Sequence, residues 1–265
     1  MNIDLQAGVD VVDLSHSMTD DMPNFPSAPA FSRVPYYRLG DFELPGGYSG
    51  SNELVAMSGH SGTHLDALGH VAQNGAVFGG ATMAEAQDGI RGLVRNSVDE
   101  VAPILGRGVF LDIARLLGVE CLDGGTAVGP ELLERAAGEA GVEITVGDSV
   151  LVRTGWQRHW TSPSQYLGDF DGAPGIDLAS AHWLGDRGVR VIGSDTGTVE
   201  VTRPGSFELP VHMETLVQRG IHLLENMALD ALAQRQAPEF MFVCSPLKIR
   251  GASGSPVRPI AVIPA

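Results

Sequence analysis

The chain has 265 residues, of which 43% are hydrophobic and 18% are charged, and its formal net charge is −15 at pH 7. This apolar content is sufficient for a hydrophobic core and argues against a generally disordered chain. An acidic surface repels phosphate backbones and anionic lipid, so we expect neither a nucleic-acid partner nor a membrane partner.

The cysteine content and the N-terminal sequence indicate where the protein works. Cys121 and Cys244 are the only cysteines, too few for a disulfide framework. The first residues lack the basic and apolar segments of a secretory signal. No apolar stretch approaches the roughly 20 residues that span a bilayer. We therefore expect a cytoplasmic protein.

Short apolar segments between turn residues predict strands, and capped segments with helical periodicity predict helices. In chain order we expect strands at 9–15 and 108–114, a helix at 129–141, a strand at 149–155, a helix at 177–188, a strand at 188–195, helices at 211–220 and 227–236, and strands at 240–246 and 259–264. Residues 1–60 are rich in strands and loops. The pattern predicts one α/β domain over residues 1–265.

Two segments rich in glycine or proline, 36–51 and 161–176, predict long surface loops, which often shape binding sites. Aromatic side chains near the first segment could line an apolar pocket for a flat ring, although ordinary core and loop packing is the favoured interpretation. These residues are Phe25, Phe31, Tyr36, Tyr37, Phe42 and Tyr48.

The segment HSGTHLDALGH, residues 60–70, contains three of the eight histidines and one aspartate. In a strand, His64 and Asp66 would share a face, whereas in a helix the four-residue spacings would pair His60 with His64 and Asp66 with His70. Two nearby glycines disfavour one continuous helix. A strand or loop that runs into a helix near Asp66 would bring all four side chains together.

Imidazole nitrogens combined with a carboxylate oxygen suit Zn²⁺, Mn²⁺ or Fe²⁺. Three protein ligands leave a coordination position for water, which distinguishes a catalytic site from a closed structural one. The segment therefore predicts a metal or acid–base site.

A second group of titratable residues lies in VHMETLVQRGIHLLENM, residues 211–227. If a helix over 211–219 ends at Gly220 and a strand follows through 221–224, His212 and Glu225 could face the same cleft. From spacing alone, an ordinary salt-bridging role for Glu225 is equally well supported.

The pattern His60-x-Gly62-Thr63-His64-x-Asp66-x-x-x-His70 resembles the HxGTHxDxPxH signature of the cyclase-family metal-dependent hydrolases. That family includes bacterial kynurenine formamidases, isatin hydrolases and lactam-opening enzymes. Five further segments resemble family landmarks in the same order, namely DLSHSMTDDMPNFPS, VLVRTGWQRHW, GSDTGTVE, HMETLVQRGIHLLENM and PLKIRGASGSPVRPIAVI.

The resemblance implies a swivelling β/β/α domain with a small central barrel-like sheet, assembled as a homodimer or homotetramer. By the same resemblance, the metal, Zn²⁺ or Mn²⁺, is held by His60, His64 and Asp66, and His70 transfers protons. His212 and Glu225 match positions that hold a second metal or complete the site in some members. Leu68 replaces the signature proline and Val71 the aromatic residue that often follows, which alters the expected pocket wall.

The predicted function is metal-dependent hydrolysis of a small amide, with a cyclic amide such as isatin or a lactam as the first choice. The two long loops favour this branch over arylformamide hydrolysis of N-formylkynurenine. A cyclase or lyase that uses the metal without adding water is an alternative. A purely structural metal is a third hypothesis, but such sites favour cysteine-rich shells, which the chain lacks near the cluster.

Overall fold

The computed structural model of the chain describes residues 8–206 and 208–264. Its strands are β1 Val9–Asp13, β2 Ser32–Tyr37, β3 Asn52–Ala56, β4 His64–Asp66, β5 Ile104–Asp112, β6 Ala127–Val128, β7 Ser149–Arg153, β8 Gly175–Ile176, β9 Val191–Ser194, β10 His222–Glu225, β11 Glu239–Cys244, β12 Gly254–Pro256 and β13 Ile260–Pro264. Its α-helices are α1 Met83–Ala86, α2 Ile113–Leu116, α3 Pro130–Ala140, α4 Pro163–Tyr166, α5 Leu178–Asp186, α6 Pro210–His212 and α7 Asp230–Arg235. A π-helix, Met213–Arg219, continues α6, and 3₁₀ turns cover Phe78–Gly80, Gly89–Arg91, Val98–Glu100 and Trp156–His159.

Nine of the strands form one mixed sheet in the order β1-β13-β11-β5-β7-β9-β10-β4-β12. The central neighbours β5, β7, β9 and β10 run parallel, and the strands on both flanks pair antiparallel. The prediction of an α/β fold is confirmed. Strand β4 pairs with β10 on one side and with β12 on the other, although both lie far from it in sequence. This pairing positions the site described below.

The sheet is curled around one of its two faces. Leu65 of β4, Phe110 of β5 and Ala261 of β13 come from distant parts of the sheet, yet they pack in one buried cluster. The nine-stranded sheet forms a half-barrel, and this cluster lies on one of its faces. A second buried cluster lies between the other face and the helices, where Leu133 of α3 and Leu184 of α5 meet strand residues.

Local signals in the sequence predicted the helix ends well. Pro130 opens α3, and Gly141 ends it in the left-handed conformation with φ of 68°. The Asp177 side chain accepts a hydrogen bond from Ser180 N and thereby caps α5. The helix predicted at 211–220 is observed as α6 and the π-helix, and it ends at left-handed Gly220.

The helix predicted near Asp66 is wrong. Residues 67–70 form a tight turn, in which His70 N donates to Ala67 O at 2.9 Å. Gly69 N donates to Asn96 O, 2.9 Å away in a distant segment. Because this bond directs the backbone toward another part of the fold, the chain turns instead of continuing as a helix.

The two predicted surface loops differ in structure. Residues 36–51 belong mostly to the connection of the β2–β3 hairpin, whereas residues 161–176 contain α4 and β8. Among the described residues, no helix is long and apolar enough to cross a membrane.

Candidate metal centre

Three neighbouring strands bring the main polar side chains together. In the sheet, Glu225 of β10 lies opposite His64 of β4, and Gly254 of β12 lies opposite Asp66. Since side chains alternate along a strand, His64 and Asp66 share one face while Leu65 points into the apolar core. The predicted strand geometry of His64 and Asp66 is confirmed.

The first group of potential metal ligands consists of His60, His64 and Asp66, whose candidate donor atoms lie within 4.8 Å of one another. His60 Nδ1 is 2.8 Å from Asp66 Oδ1, and His64 Nε2 is 3.6 Å from the same oxygen. The His60 side chain is 21% exposed and is the outermost of the three.

The second group consists of Asp66, His70 and His212, with the same 4.8 Å limit between their candidate donor atoms. His212 Nε2 lies 3.7 Å from Asp66 Oδ2 and 3.2 Å from Glu225 Oε1. Glu225 Oε2 is also 3.2 Å from His64 Nε2. Asp66 and Glu225 therefore stand between the two groups, and His212 and Glu225 do face the same site.

These side chains fit a metal ion because several of their donor atoms are buried without a hydrogen-bond partner. The atoms are His64 Nε2, both carboxylate oxygens of Asp66 and Oε1 of Glu225. Leaving such groups unpaired in a protein interior is costly, and two adjacent buried carboxylates add mutual repulsion. A divalent cation would satisfy these atoms at once, and nitrogen with oxygen donors suits the borderline ions Zn²⁺ and Mn²⁺.

The charges of the centre favour a cation. Burial alone would lower the pKa of His64, but the Glu225 and Asp66 carboxylates raise it above its ordinary value. Burial likewise opposes protonation of His212, yet Glu200 and Glu225 raise its pKa to about 10. Burial lowers the pKa of His70 below its ordinary value. Protons and metal compete for the same nitrogen lone pairs, so a bound cation would replace these protons.

The ring of His60 is fixed from two sides. Its Nε2 lies 2.9 Å from Ser253 Oγ, which leaves Nδ1 facing Asp66. A Cβ atom at Gly254 would lie only 2.6 Å from Cε1 of the His60 ring. The absence of a side chain at residue 254 therefore makes room for the imidazole, and Ser253 sets its orientation.

His212 and His64 are oriented by groups behind the centre. The buried Glu200 carboxylate is 2.5 Å from His212 Nδ1 and also accepts hydrogen bonds from the backbone N of Val211 and His212. His64 Nδ1 donates to Gly62 O at 2.9 Å, and Asn226 Nδ2 donates to the same oxygen. In both histidines these contacts hold Nδ1, so Nε2 faces the carboxylates of the centre.

Two further titratable residues of the segment 211–227, His222 and Glu214, have structural contacts, and two of the aromatic residues named above lie on the surface. His222 Nδ1 donates to Asp66 O, and Glu214 pairs with Arg219 and His182. Tyr36 and Tyr48 are 79% and 69% exposed, so of the favoured core and loop packing only the loop part can apply to these two aromatic residues. They are exposed because they belong to the β2–β3 hairpin, which projects from the sheet.

Sequence reasoning missed the roles of Glu200, Asn226, Ser253 and Gly254. Glu200 ends the quoted GSDTGTVE segment and Ser253 lies in the closing segment, but neither spacing indicates a contact with a histidine. Each contact depends on how distant strands and helices pack.

Replacing Gly254 with alanine is expected to lower the metal affinity of the first group about tenfold, as for other losses of ligand support. The added Cβ would push against the His60 ring, which cannot keep its present place. Metal titration of the purified variant measures the loss. Gly138→Ala in α3 is the matched control, because a Cβ there meets nothing within 4 Å and metal affinity should not change. Wild-type metal affinity in Gly254→Ala would contradict the prediction.

Comparisons with known proteins agree with this architecture. The sequence profile of a family described as "Putative cyclase" matches residues 12–201. Kynurenine formamidase from Bordetella avium is 27% identical over 251 residues, 94% of this chain and 95% of that protein. A crystal structure of a novel cyclase superposes with a TM-score of 0.87 at 24% identity, covering 96% of this chain and 88% of that one. Isatin hydrolase A from Ralstonia solanacearum gives a TM-score of 0.74 at 24% identity over 98% and 94% of the two chains.

The curled sheet and the buried histidine–carboxylate cluster define an α/β protein with a centre suited to a divalent metal. The family match covers most of the chain, and the protein belongs to this cyclase family. The formamidase and isatin hydrolase A each align with nearly the whole chain, so the extent of these matches does not separate the two branches.

Proposed function

We propose that this protein is a metal-dependent hydrolase that cleaves a small amide. The observation that carries the proposal is the pair of ligand groups that share Asp66, with buried donor atoms that lack any other partner. The kynurenine formamidases and isatin hydrolases among its relatives support the same chemistry.

The proposed ligands of the first metal are His60, His64 and Asp66, and His212 and Glu225 would hold a second metal or complete the site. When bound, a divalent cation polarises an amide carbonyl and activates water for attack. The protein contributes fixed ligand orientations, through Ser253 behind His60 and Glu200 behind His212. The ion would be Zn²⁺ or Mn²⁺.

His70 is the proposed proton-transfer residue. Its ring lies 4.0 Å from that of His60 at the outer side of the centre, and its lowered pKa keeps it neutral near pH 7. A neutral imidazole can take a proton from the attacking water and return it to the departing nitrogen. His70 also belongs to the second ligand group, so metal binding is the competing role for its side chain. The experiment below distinguishes proton transfer from metal binding.

The proposed substrate is an amide whose nitrogen is attached to a benzene ring. Isatin, a cyclic amide, and N-formylkynurenine, an open formamide, share this feature, which makes the departing nitrogen a better leaving group than an alkyl amine. The cyclic amide is our first choice and the formamide the second. An alkyl lactam lacks the ring attachment and therefore tests this chemical class.

Three further features belong to the proposal. We infer one catalytic domain over residues 1–265, a cytoplasmic location and assembly as a homodimer or homotetramer. Both cysteines are free thiols in the structure, which agrees with a reducing compartment.

The test is an assay of the Zn²⁺- or Mn²⁺-loaded protein on isatin, a γ-lactam and N-formylkynurenine, with product masses measured. We expect the wild type to add one water to an aryl amide. His70→Asn should keep its metal while kcat falls about 10²–10⁴-fold, the usual contribution of proton transfer. His182→Asn, at an exposed histidine paired with Glu214, is the control and should keep full activity.

Each other outcome has a distinct meaning. Loss of metal in His70→Asn would make His70 a ligand. A product of unchanged mass would replace hydrolysis with a cyclase or lyase reaction. Failure of the metal-loaded wild type to cleave any of the amides would contradict the proposed function.

A further inference from the structure

Tyr166 belongs to the surface segment 161–176, but its own side chain is buried beneath that segment. It ends α4, and 1% of its surface is exposed, whereas Pro163 at the start of the same helix is exposed. Trp156 Nε1 donates to Tyr166 O at 2.9 Å, and the Trp160 ring meets the Tyr166 ring edge-on with 5.1 Å between centroids. These contacts fix the backbone and the ring of Tyr166, so its hydroxyl oxygen is held in one position.

The Tyr166 hydroxyl fixes the orientation of the Asn226 side-chain amide. The hydroxyl oxygen lies 2.9 Å from Asn226 Oδ1 and 3.2 Å from Asp195 O, and a phenol has one proton to donate. At the other end of the amide, Asn226 Nδ2 donates to Gly62 O at 2.9 Å. Because the Gly62 carbonyl needs a donor, Oδ1 of the amide must face Tyr166 and accept its proton.

The Gly62 carbonyl connects this buried pair to the metal centre. Its oxygen accepts a hydrogen bond from His64 Nδ1, also at 2.9 Å. When Nδ1 of His64 is the donor, the lone pair of a neutral imidazole lies on Nε2. His64 Nε2 is 3.2 Å from Glu225 Oε2 and faces the interior of the centre. The bond to Gly62 therefore selects the tautomer of His64 that can bind a cation.

The Asn226 backbone is held independently of its side chain. Asn226 N donates to Thr196 O at 2.9 Å, and Asn226 O accepts from Thr63 Oγ1 at 2.5 Å. The φ of Asn226 is 55°, in the left-handed region that glycine adopts without strain. The substitution Asn226→Gly therefore removes the amide while the backbone can keep its path.

We propose that Tyr166 is a positioning residue of the metal centre. Its hydroxyl holds the Asn226 amide, the amide holds the Gly62 carbonyl, and that carbonyl keeps Nε2 of His64 directed into the centre. Burial raises the pKa of Tyr166 well above its ordinary value, so the hydroxyl keeps its proton at neutral pH. The surface segment 161–176 thus contributes to metal binding, although none of the proposed ligands belongs to it. This inference rests on the metal centre of the proposed function.

The test is a Zn²⁺ titration of the purified full-length wild type, Tyr166→Phe, Asn226→Gly and the double variant. Phenylalanine keeps the buried ring and removes the hydroxyl alone. We expect Zn²⁺ affinity at the first group to fall about tenfold in Tyr166→Phe and about 10–100-fold in Asn226→Gly, the usual range for lost ligand support. Because Tyr166 acts through Asn226, the double variant should match Asn226→Gly within about twofold, whereas independent effects would multiply.

A second measurement follows His64 directly and needs no substrate. Nitrogen NMR of the zinc-loaded protein detects the proton on His64 Nδ1 and its rate of exchange with solvent. We expect this proton to exchange about tenfold faster in Tyr166→Phe than in the wild type, the factor that corresponds to one lost hydrogen bond.

Thr202→Val is the matched control, because it also removes one hydroxyl that holds the segment 161–176. Thr202 Oγ1 accepts from Ala173 N at 2.8 Å, and Ala173 packs in the same small apolar cluster as Trp156 and Tyr166. The control variant loosens this cluster without removing a bond to the Asn226 amide. It should lower the Tm but leave the Zn²⁺ affinity of the first group and the proton exchange at Nδ1 unchanged.

Three results would overturn the inference: wild-type Zn²⁺ affinity in Tyr166→Phe, multiplied losses in the double variant, or an equal loss in Thr202→Val. A wild type that binds no Zn²⁺ would overturn the inference and the metal centre together. Zn²⁺ binding that follows the expected pattern, without cleavage of any amide, would support the inference and contradict only the proposed function.

Discussion

Asp66→Asn is expected to abolish metal retention at both ligand groups and to lower metal affinity by more than about 100-fold, beyond the usual effect of losing a residue that only supports a ligand. The Asp66 carboxylate is common to both groups, and its two oxygens face His60 and His64 on one side and His212 on the other. An asparagine keeps the shape but supplies no negative charge and only one oxygen. Elemental analysis after dialysis measures the retained metal.

The same variant should also change how metal affects the stability of the fold. In the metal-free protein burial would raise the pKa of the Asp66 carboxyl, but the neighbouring histidines hold this pKa well below its ordinary value, so its charge is favourable there even though it opposes the charge of Glu225. An uncharged asparagine loses this stabilisation, so we expect the Tm of the metal-free variant to be no higher than that of the wild type. The Tm of the variant should not rise when Zn²⁺ or Mn²⁺ is added.

Asp195→Asn is the matched control because Asp195 is equally buried but fully hydrogen-bonded. Its carboxylate accepts bonds from the Thr154 backbone and hydroxyl and from Gly155 N. An amide group cannot accept all three, so this variant should lose about 1–3 kcal/mol of stability for an unsatisfied buried donor. Its Tm should still rise with metal. Metal retention by Asp66→Asn at the wild-type level would show that the centre lies elsewhere.

Glu200→Gln is expected to weaken metal binding at the second group about 10–100-fold while the first group keeps its metal. The Glu200 carboxylate holds His212 Nδ1 at 2.5 Å and so leaves His212 Nε2 directed toward Asp66 and Glu225. Glutamine replaces one acceptor oxygen with a donor that faces the backbone N–H of Val211. Metal titration of the purified variant gives both the stoichiometry and the affinity, independently of activity.

Glu214→Gln is the control for this variant, because Glu214 lies in the adjoining π-helix and pairs with Arg219 away from the centre. It should bind metal like the wild type. Equal loss of both metals in Glu200→Gln would indicate a general collapse of the site. Unchanged metal affinity at both groups would show that Glu200 only stabilises the start of α6 and does not support metal binding.

The sequence predicted the first ligand group because its geometry is local. His64 and Asp66 are two residues apart, and any strand places such residues on one face. The ends of α3 and α5 were also predictable, since Pro130, Gly141 and Asp177 act on the backbone within a few residues. The helix expected after Asp66 failed because a bond from Gly69 to distant Asn96 turns the chain there.

The parts of the fold and of the candidate centre that were not predicted depend on which distant segments become neighbours in the sheet. The sequence offered a long surface loop at 36–51, but it could not show that strands flank the loop or that its aromatic residues stay exposed. It named His212 and Glu225 as candidate residues of the centre, but an ordinary salt-bridging role for Glu225 was equally well supported. The adjacency of β10, β4 and β12 then placed Glu225 beside His64.

By itself, then, the sequence determined the α/β class and the family, and it named the first candidate ligands, because strand alternation, helix caps and a short histidine–aspartate motif act within a few residues. Only the tertiary structure decided that Asp66 is shared by the two candidate ligand groups, that Glu200 and Ser253 orient the histidines, and that Tyr36 and Tyr48 stay exposed on the β2–β3 hairpin. These features arise from strand order and curl, which are set by the packing of the whole sheet rather than by any single segment.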